Sequence, residues 1–178
     1  MSSYAEALSE FYNGEVYGET LLSALVGSAR NADERLKWSM LLQLETETKA
    51  WLRAPMVAHG VSIEERTEDR DKGLARARER ASLPWSQAMQ SMYDGLSGHY
   101  VPLYQSYADA ARMRGEAAEE AVCRYMVEHE LALVEFARRE LAGAGVAQSL
   151  EPVQRMLKYP IGIALGGSGQ ARLEASKT

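Results

Sequence analysis

Glu15, Glu45, His99 and His129 are all metal-ligand types. Each falls on the apolar stripe of a helical segment, where Leu, Phe, Trp and Met otherwise sit. Burying carboxylates and imidazoles among apolar residues is costly unless something pairs them, and a metal ion is one such partner. Iron, manganese and zinc accept mixed carboxylate and imidazole ligands. Two glutamates would balance a divalent charge, and an open coordination position could take water, oxygen or substrate. Neighbours could join the set. Glu19 lies one turn on from Glu15, Glu130 adjoins His129, and Glu47 points about 160° away from Glu45 on an ideal helix.

Four helices must position these residues. The first, about Ser3 to Ala29, has the stripe Tyr4, Leu8, Phe11, Glu15, Gly18, Leu22, Leu25. The second, about Asp33 to Ala54 or slightly beyond, has Trp38, Leu41, Glu45, Thr48 and Leu52, and Pro55 is expected to end or kink it. The third starts at Pro84, a favoured first-turn residue. Its stripe is Trp85, Met89, Met92, Leu96, His99, Leu103, Tyr107, Ala110, and Gly115 follows its end. The fourth carries Val122, Met126, His129, Leu133, Phe136 and Glu140, and is closed by Gly143 and Gly145. A short helix is expected around Leu150–Lys158.

Depth can be counted from the turns. Glu15 lies 16 residues before Asn31 and Glu45 lies 14 after it; His99 and His129 each lie 15 from Arg114. All four are then about 21–24 Å from a turn, which is one layer in a bundle with matched helix ends. Gly14 and Gly18 flank Glu15 although each costs a helix interior about 1 kcal/mol. Gly95, Gly98 and Pro102 surround His99, and Pro102 has no N–H for the Gly98 carbonyl, so a kink is expected there. Tyr12, Tyr100, Tyr104 and Tyr125 could supply hydroxyls nearby.

Between Glu64 and Arg80, 12 of 17 residues are charged, six of each sign, so this stretch reads as a solvated helix or loop. Only Leu74 and a few alanines could face a core there, and Arg76, Arg78 and Arg80 read as solvated. Residues 60–83 as one helix would span about 36 Å, enough to cross from one end of a bundle to the other.

The 178 residues suit a single domain over 1–165, with residues 166–178 expected to be a disordered tail. The net charge of -5 argues against a nucleic-acid groove. The lone cysteine, Cys123, excludes an internal disulfide and a CxxC zinc site. No signal peptide or membrane span is visible, so a cytoplasmic protein without a membrane partner is expected.

Three stretches, FYNGEVYGETLLSAL, LLQLETETKAWLRA and VEHELALVEFARREL, resemble the ferritin-like superfamily in the broad sense that includes rubrerythrin-like proteins. The likeness covers roughly residues 4–142 without the charged crossover. It implies an all-α four-helix bundle of two helical hairpins joined by one long crossover. It also implies a two-metal site with a carboxylate from each of two helices and a Glu-x-x-His from each of the others. Glu15 matches the first carboxylate and Glu45 the second-helix glutamate, but Thr48 stands where a histidine belongs. His99 replaces the third-helix carboxylate, and Met126 stands where the glutamate partner of His129 belongs, with Glu130 as a substitute. Neither Glu-x-x-His pair is intact.

Plainer roles stand beside these. Glu15 could face solvent or a subunit seam, Glu45 could pair with Lys49 at i,i+4, and each histidine alone could be a satisfied core residue. Three functions compete. One is a metal-dependent oxidoreductase holding iron or manganese at Glu15, Glu45, His129 and either His99 or Glu130, acting on a small molecule. Another is a metal-free bundle that serves binding or assembly. The third is iron storage, which also needs a many-subunit shell. A homodimer is expected.

Overall fold

In the computed structural model, which describes residues 3–159, every regular element is a helix. Helix α1, Tyr4–Gly27, opens on a reciprocal cap. The Glu6 amide donates to Ser3 Oγ at 3.2 Å and the Ser3 amide donates to Glu6 Oε2 at 2.7 Å. Helix α2, Ala32–Ala58, is capped by Asn31, whose Oδ1 accepts from the Glu34 amide at 2.8 Å. Helix α3 is Thr67–Ser82. Helix α4, Trp85–Gly95, passes through a π-helical turn, Leu96–Tyr100, directly into α5, Val101–Arg114. Helix α6 is Ala117–Leu141 and α7 is Val146–Met156. Gly115 (φ 75°) and Gly143 (φ 75°) make the left-handed steps that end α5 and α6. The short last helix therefore starts four residues earlier than its stripe suggested. The tail expected from Gly166 lies outside the described residues.

Helix α1 packs along both α2 and α3, while α6 packs along α4, α5 and α7. The core is split in two. One apolar cluster gathers Leu22, Leu25, Leu41, Met89, Leu133 and Phe136. The other gathers Leu8, Phe11, Leu52, Met56, Tyr104 and Met126. Glu15, Glu45, Thr48 and His129 are buried yet belong to neither.

Three expectations change. Pro55 does not end α2, which runs on to Ala58 because Met56, wholly buried, anchors the last turn. The charged stretch is not a free-standing crossover. Arg66 donates from its amide to Asn13 Oδ1 at 3.1 Å and from Nη2 to Ser9 Oγ at 2.7 Å. Lys49 adds ion pairs to Glu19 and, at 2.8 Å, to Glu65. The start of α3 is thus fastened to α1. The buried face of α3 is Gly73, Ala77 and Arg80, whereas Leu74 is exposed. Small residues win that face because α3 lies so close to α1 that backbone meets backbone.

At Gly73 the contact is tightest. A Cβ there would lie 2.7 Å from the Tyr17 carbonyl oxygen and 3.1 Å from Thr20 Cβ. Gly73→Ala is therefore expected to destabilise the protein by roughly 1–3 kcal/mol despite its better helix propensity. Gly95→Ala, where nothing stands within 4 Å, is expected to be neutral or mildly stabilising. Urea denaturation of the two variants checks this, and equal midpoints would refute the close α1–α3 approach.

Candidate metal centre

Glu15 on α1, Glu45 on α2 and His129 on α6 come together in the gap between the two apolar clusters. Each offers a ligand atom, and these atoms all lie within 4.8 Å of one another. His129 Nε2 is 3.8 Å from Glu15 Oε1 and 3.6 Å from Glu45 Oε1. Both distances are too long for a hydrogen bond. Glu15 and His129 are at most 1% exposed and Glu45 is 6% exposed, so bulk solvent scarcely reaches them. Glu15 Oε2, His129 Nε2 and Glu130 Oε2 have no hydrogen-bond partner among the described residues. Leaving such groups unpaired in a core costs about 1–3 kcal/mol each.

The far side of the imidazole is held. Thr48 Oγ1 lies 3.1 Å from His129 Nδ1, and Tyr125 Oη lies 3.4 Å from the same hydroxyl. That contact fixes the ring so that Nε2 points at the two carboxylates. Glycine makes the room. A Cβ on Gly18 would lie 2.6 Å from the Glu45 carboxyl carbon, and one on Gly14 would lie 2.6 Å from the Tyr104 hydroxyl. The helix weakness accepted around Glu15 is therefore space for the groups facing it.

Burial dominates the electrostatics. It raises the Glu15 pKa well above its ordinary value, and the neighbouring Glu45 carboxylate adds to the rise. Burial likewise raises Glu130 to about 7. For His129, burial opposes the charged form, but Glu45 and Glu130 outweigh it and the pKa is raised. Two neighbouring carboxylates and an imidazole, all buried and partly unpaired, are a donor set that a divalent cation would complete.

The residues singled out by spacing separate here. Glu15, Glu45 and His129 converge, and Glu130 is buried beside them. His99 does not join them; it is exposed, with its ring edge-on to Tyr100 at 4.9 Å. The cause is the π turn, whose i→i+5 bonding takes an extra residue and shifts the helix phase. Beyond it the buried positions are Tyr104, Ala108 and Ala111, one residue later than the stripe Leu103, Tyr107, Ala110. Glu19 is engaged by Lys49 and Thr46, and Glu47 accepts from Gln43 and from the Lys158 amide. Lys49 is thus turned to Glu19 and Glu65, away from Glu45. Thr48, which spacing marked only as a missing histidine, is the partner that orients His129.

A cavity of about 280 Å³ adjoins the layer and is lined by Glu45 and Glu130, by Tyr17, Tyr100 and Tyr104, and by Arg80. It shares Tyr17, His99 and Tyr100 with a more open cleft of about 530 Å³. Arg80, expected in solvent, is 8% exposed. The spacing of Gly73, Ala77 and Arg80, two small residues on one face with the arginine a turn on, was the sequence signal for its burial.

The raised acids predict a pH dependence for chelator-treated protein. Between 4.5, the ordinary value for glutamate, and about 7, folded Glu130 keeps a proton that the unfolded chain has lost. Stability therefore falls as pH rises through that window, and the raised Glu15 and His129 act in the same direction. The melting temperature is expected to drop by on the order of 5 °C or more across it, and Glu130→Gln to flatten the slope. Circular dichroism melts from acid to neutral pH check this; a rising melting temperature in both proteins would refute it. None of the known protein-family models, curated proteins or solved structures compared with this chain matches it.

Proposed function

We propose that this chain is a metal-dependent oxidoreductase of the ferritin-like class, in which Glu15, Glu45 and His129 hold iron or manganese and a small molecule enters the adjoining cavity. The observation that carries the reading is the convergence of these three buried side chains with Glu15 Oε2 and His129 Nε2 left unpartnered. The ferritin-like part rests on the pairing of α1 with α2 and of α5 with α6, and on the single long connection that contains α3. It rests also on the sequence resemblance around Glu15, Glu45 and His129. The three converging donors suit one ion better than two, since Thr48 and Met126 replace the further ligands of a two-metal site.

When bound, such a metal supplies redox chemistry toward dioxygen or peroxide. The remaining work belongs to the chain. With the ring in the Nδ1–H tautomer, Thr48 Oγ1 would accept from Nδ1 and leave the Nε2 lone pair for a metal. Gly18 leaves space for the Glu45 carboxylate. The apolar clusters on either side shield the layer from bulk solvent except toward the cavity. Glu130, with its pKa near 7, can hold or release a proton at Oε2 on the cavity wall.

A metal-free binding bundle is the second reading. What favours it is the raised Glu15 pKa, because a protonated Glu15 hydrogen-bonded to Glu45 would satisfy part of the layer without an ion. Elemental analysis of protein purified without a metal-affinity step or chelator separates the two. About one equivalent of iron or manganese is expected, lost in Glu45→Ala and His129→Ala. No metal, even after anaerobic reconstitution with ferrous iron, would sink the oxidoreductase reading. Gly18→Ala sharpens the comparison: it should fold normally, because the Glu45 side chain can swing aside, yet bind metal roughly 10–100-fold more weakly.

A further inference from the structure

Arg80 is another buried group that the layer leaves unexplained. It is 8% exposed, and its guanidinium makes no ion pair or hydrogen bond among the described residues. Its Nε is wholly enclosed and unpartnered. Nearby acids are engaged elsewhere: Glu79 accepts from Arg76 Nη1 at 2.8 Å, and Glu34 accepts from Arg30 Nε at 3.2 Å. Burial pushes the Arg80 pKa down, and Arg76 adds to that, yet an arginine starts so high that it stays cationic at neutral pH. A buried, permanently charged fork with no counter-ion is a costly arrangement. It faces the same cavity as Glu45 and Glu130.

We infer that Arg80 is the anchoring residue for a small monocarboxylate with an apolar body, whose far end lies against the Glu15–Glu45–His129 layer. The guanidinium fork matches a carboxylate in two parallel hydrogen bonds. Leu22, Met92, Leu96 and Leu133 give the cavity an apolar stretch that suits the body, while Arg76, Ser91, His99 and three tyrosines line the remainder. The acids in the cavity select the charge, since Glu45 and Glu130 would repel a phosphate dianion more strongly than a carboxylate. As a substrate class this rests on the proposed reacting layer, but the binding itself does not need a metal.

The test is binding of octanoate, octanamide and inorganic phosphate, each to chelator-treated and to as-purified protein. Calorimetry supplies the affinity. Tryptophan fluorescence supplies a second signal, because Trp38 and Trp85 line a small pocket that Arg80 also borders. Octanoate should bind saturably with or without metal, and octanamide and phosphate at least about tenfold more weakly. Arg80→Met should lose octanoate binding by about tenfold or more, and Arg80→Lys should retain part of it. Equal binding of octanoate and octanamide, tighter binding of phosphate, or undiminished binding by a folded Arg80→Met would overturn the inference. If Arg80→Met does not fold, the comparison of the three probes on the wild type decides. Octanoate binding by a protein that takes up no iron or manganese even on reconstitution would leave the anion site standing and the oxidoreductase reading fallen; metal uptake without octanoate binding would do the reverse.

Discussion

Two apolar clusters face one another across a buried layer of ionisable side chains, and much of the rest of the structure accommodates that layer. Leucines at Glu15, Glu45 and His129 would merge the clusters into one core and gain about 1.5–3 kcal/mol apiece from burial. The chain forgoes that gain. It also accepts glycine in the middle of α1, where alanine would be the better helix former, because a methyl at Gly18 would strike Glu45. The layer is therefore built in by residues that weaken the helices around it, and Thr48 spends its hydroxyl on aiming one ring. Cores that merely tolerate a stray histidine satisfy it on both sides; here one nitrogen is held and the other is left facing two carboxylates.

The helix that runs from Trp85 to Arg114 answers to the same layer. Its π turn stands beside the cavity, with Tyr100 in the wall and His99 at the rim. Widening one turn lets a continuous helix change which face it buries, from Met89 and Met92 above to Tyr104 and Ala108 below. The wider turn and Pro102 just after it relieve the same stretch of backbone: the proline removes an N–H, and the longer bonds redistribute the carbonyls that lose it.

Helix α3 has an unusual composition for a packed element, since more than half of its residues are charged. It packs through Gly73 and Ala77, which allow close approach to α1, and leaves its long charged side chains to solvent. Only Arg80 breaks that division. Because the guanidinium is turned inward, α3 both covers the cavity and places a positive charge in it, opposite in sign to the glutamates from α2 and α6.

Local pattern carried most of the secondary structure. The stripes of α1, α2 and α6, the Asn31 cap, and the left-handed glycines at 115 and 143 are short-range signals, and short-range chemistry decides them. Three of the gathered groups were legible the same way. Glu15, Glu45 and His129 lie on stripes of uninterrupted α-helices, so counting residues from the turns gives their depth correctly. Counting fails where the helix stops being regular: one extra residue per turn at Leu96–Tyr100 moved His99 from the layer to the surface. It fails again at Arg80, because a charged residue is buried only when another helix lies across it, and that depends on how closely α3 and α1 meet. Sequence alone determined which residues the layer would draw on. Tertiary structure decided which of them meet, which nitrogen of His129 is free, and that a cationic fork shares their cavity, since distance between helices is set by packing and not by spacing along one of them.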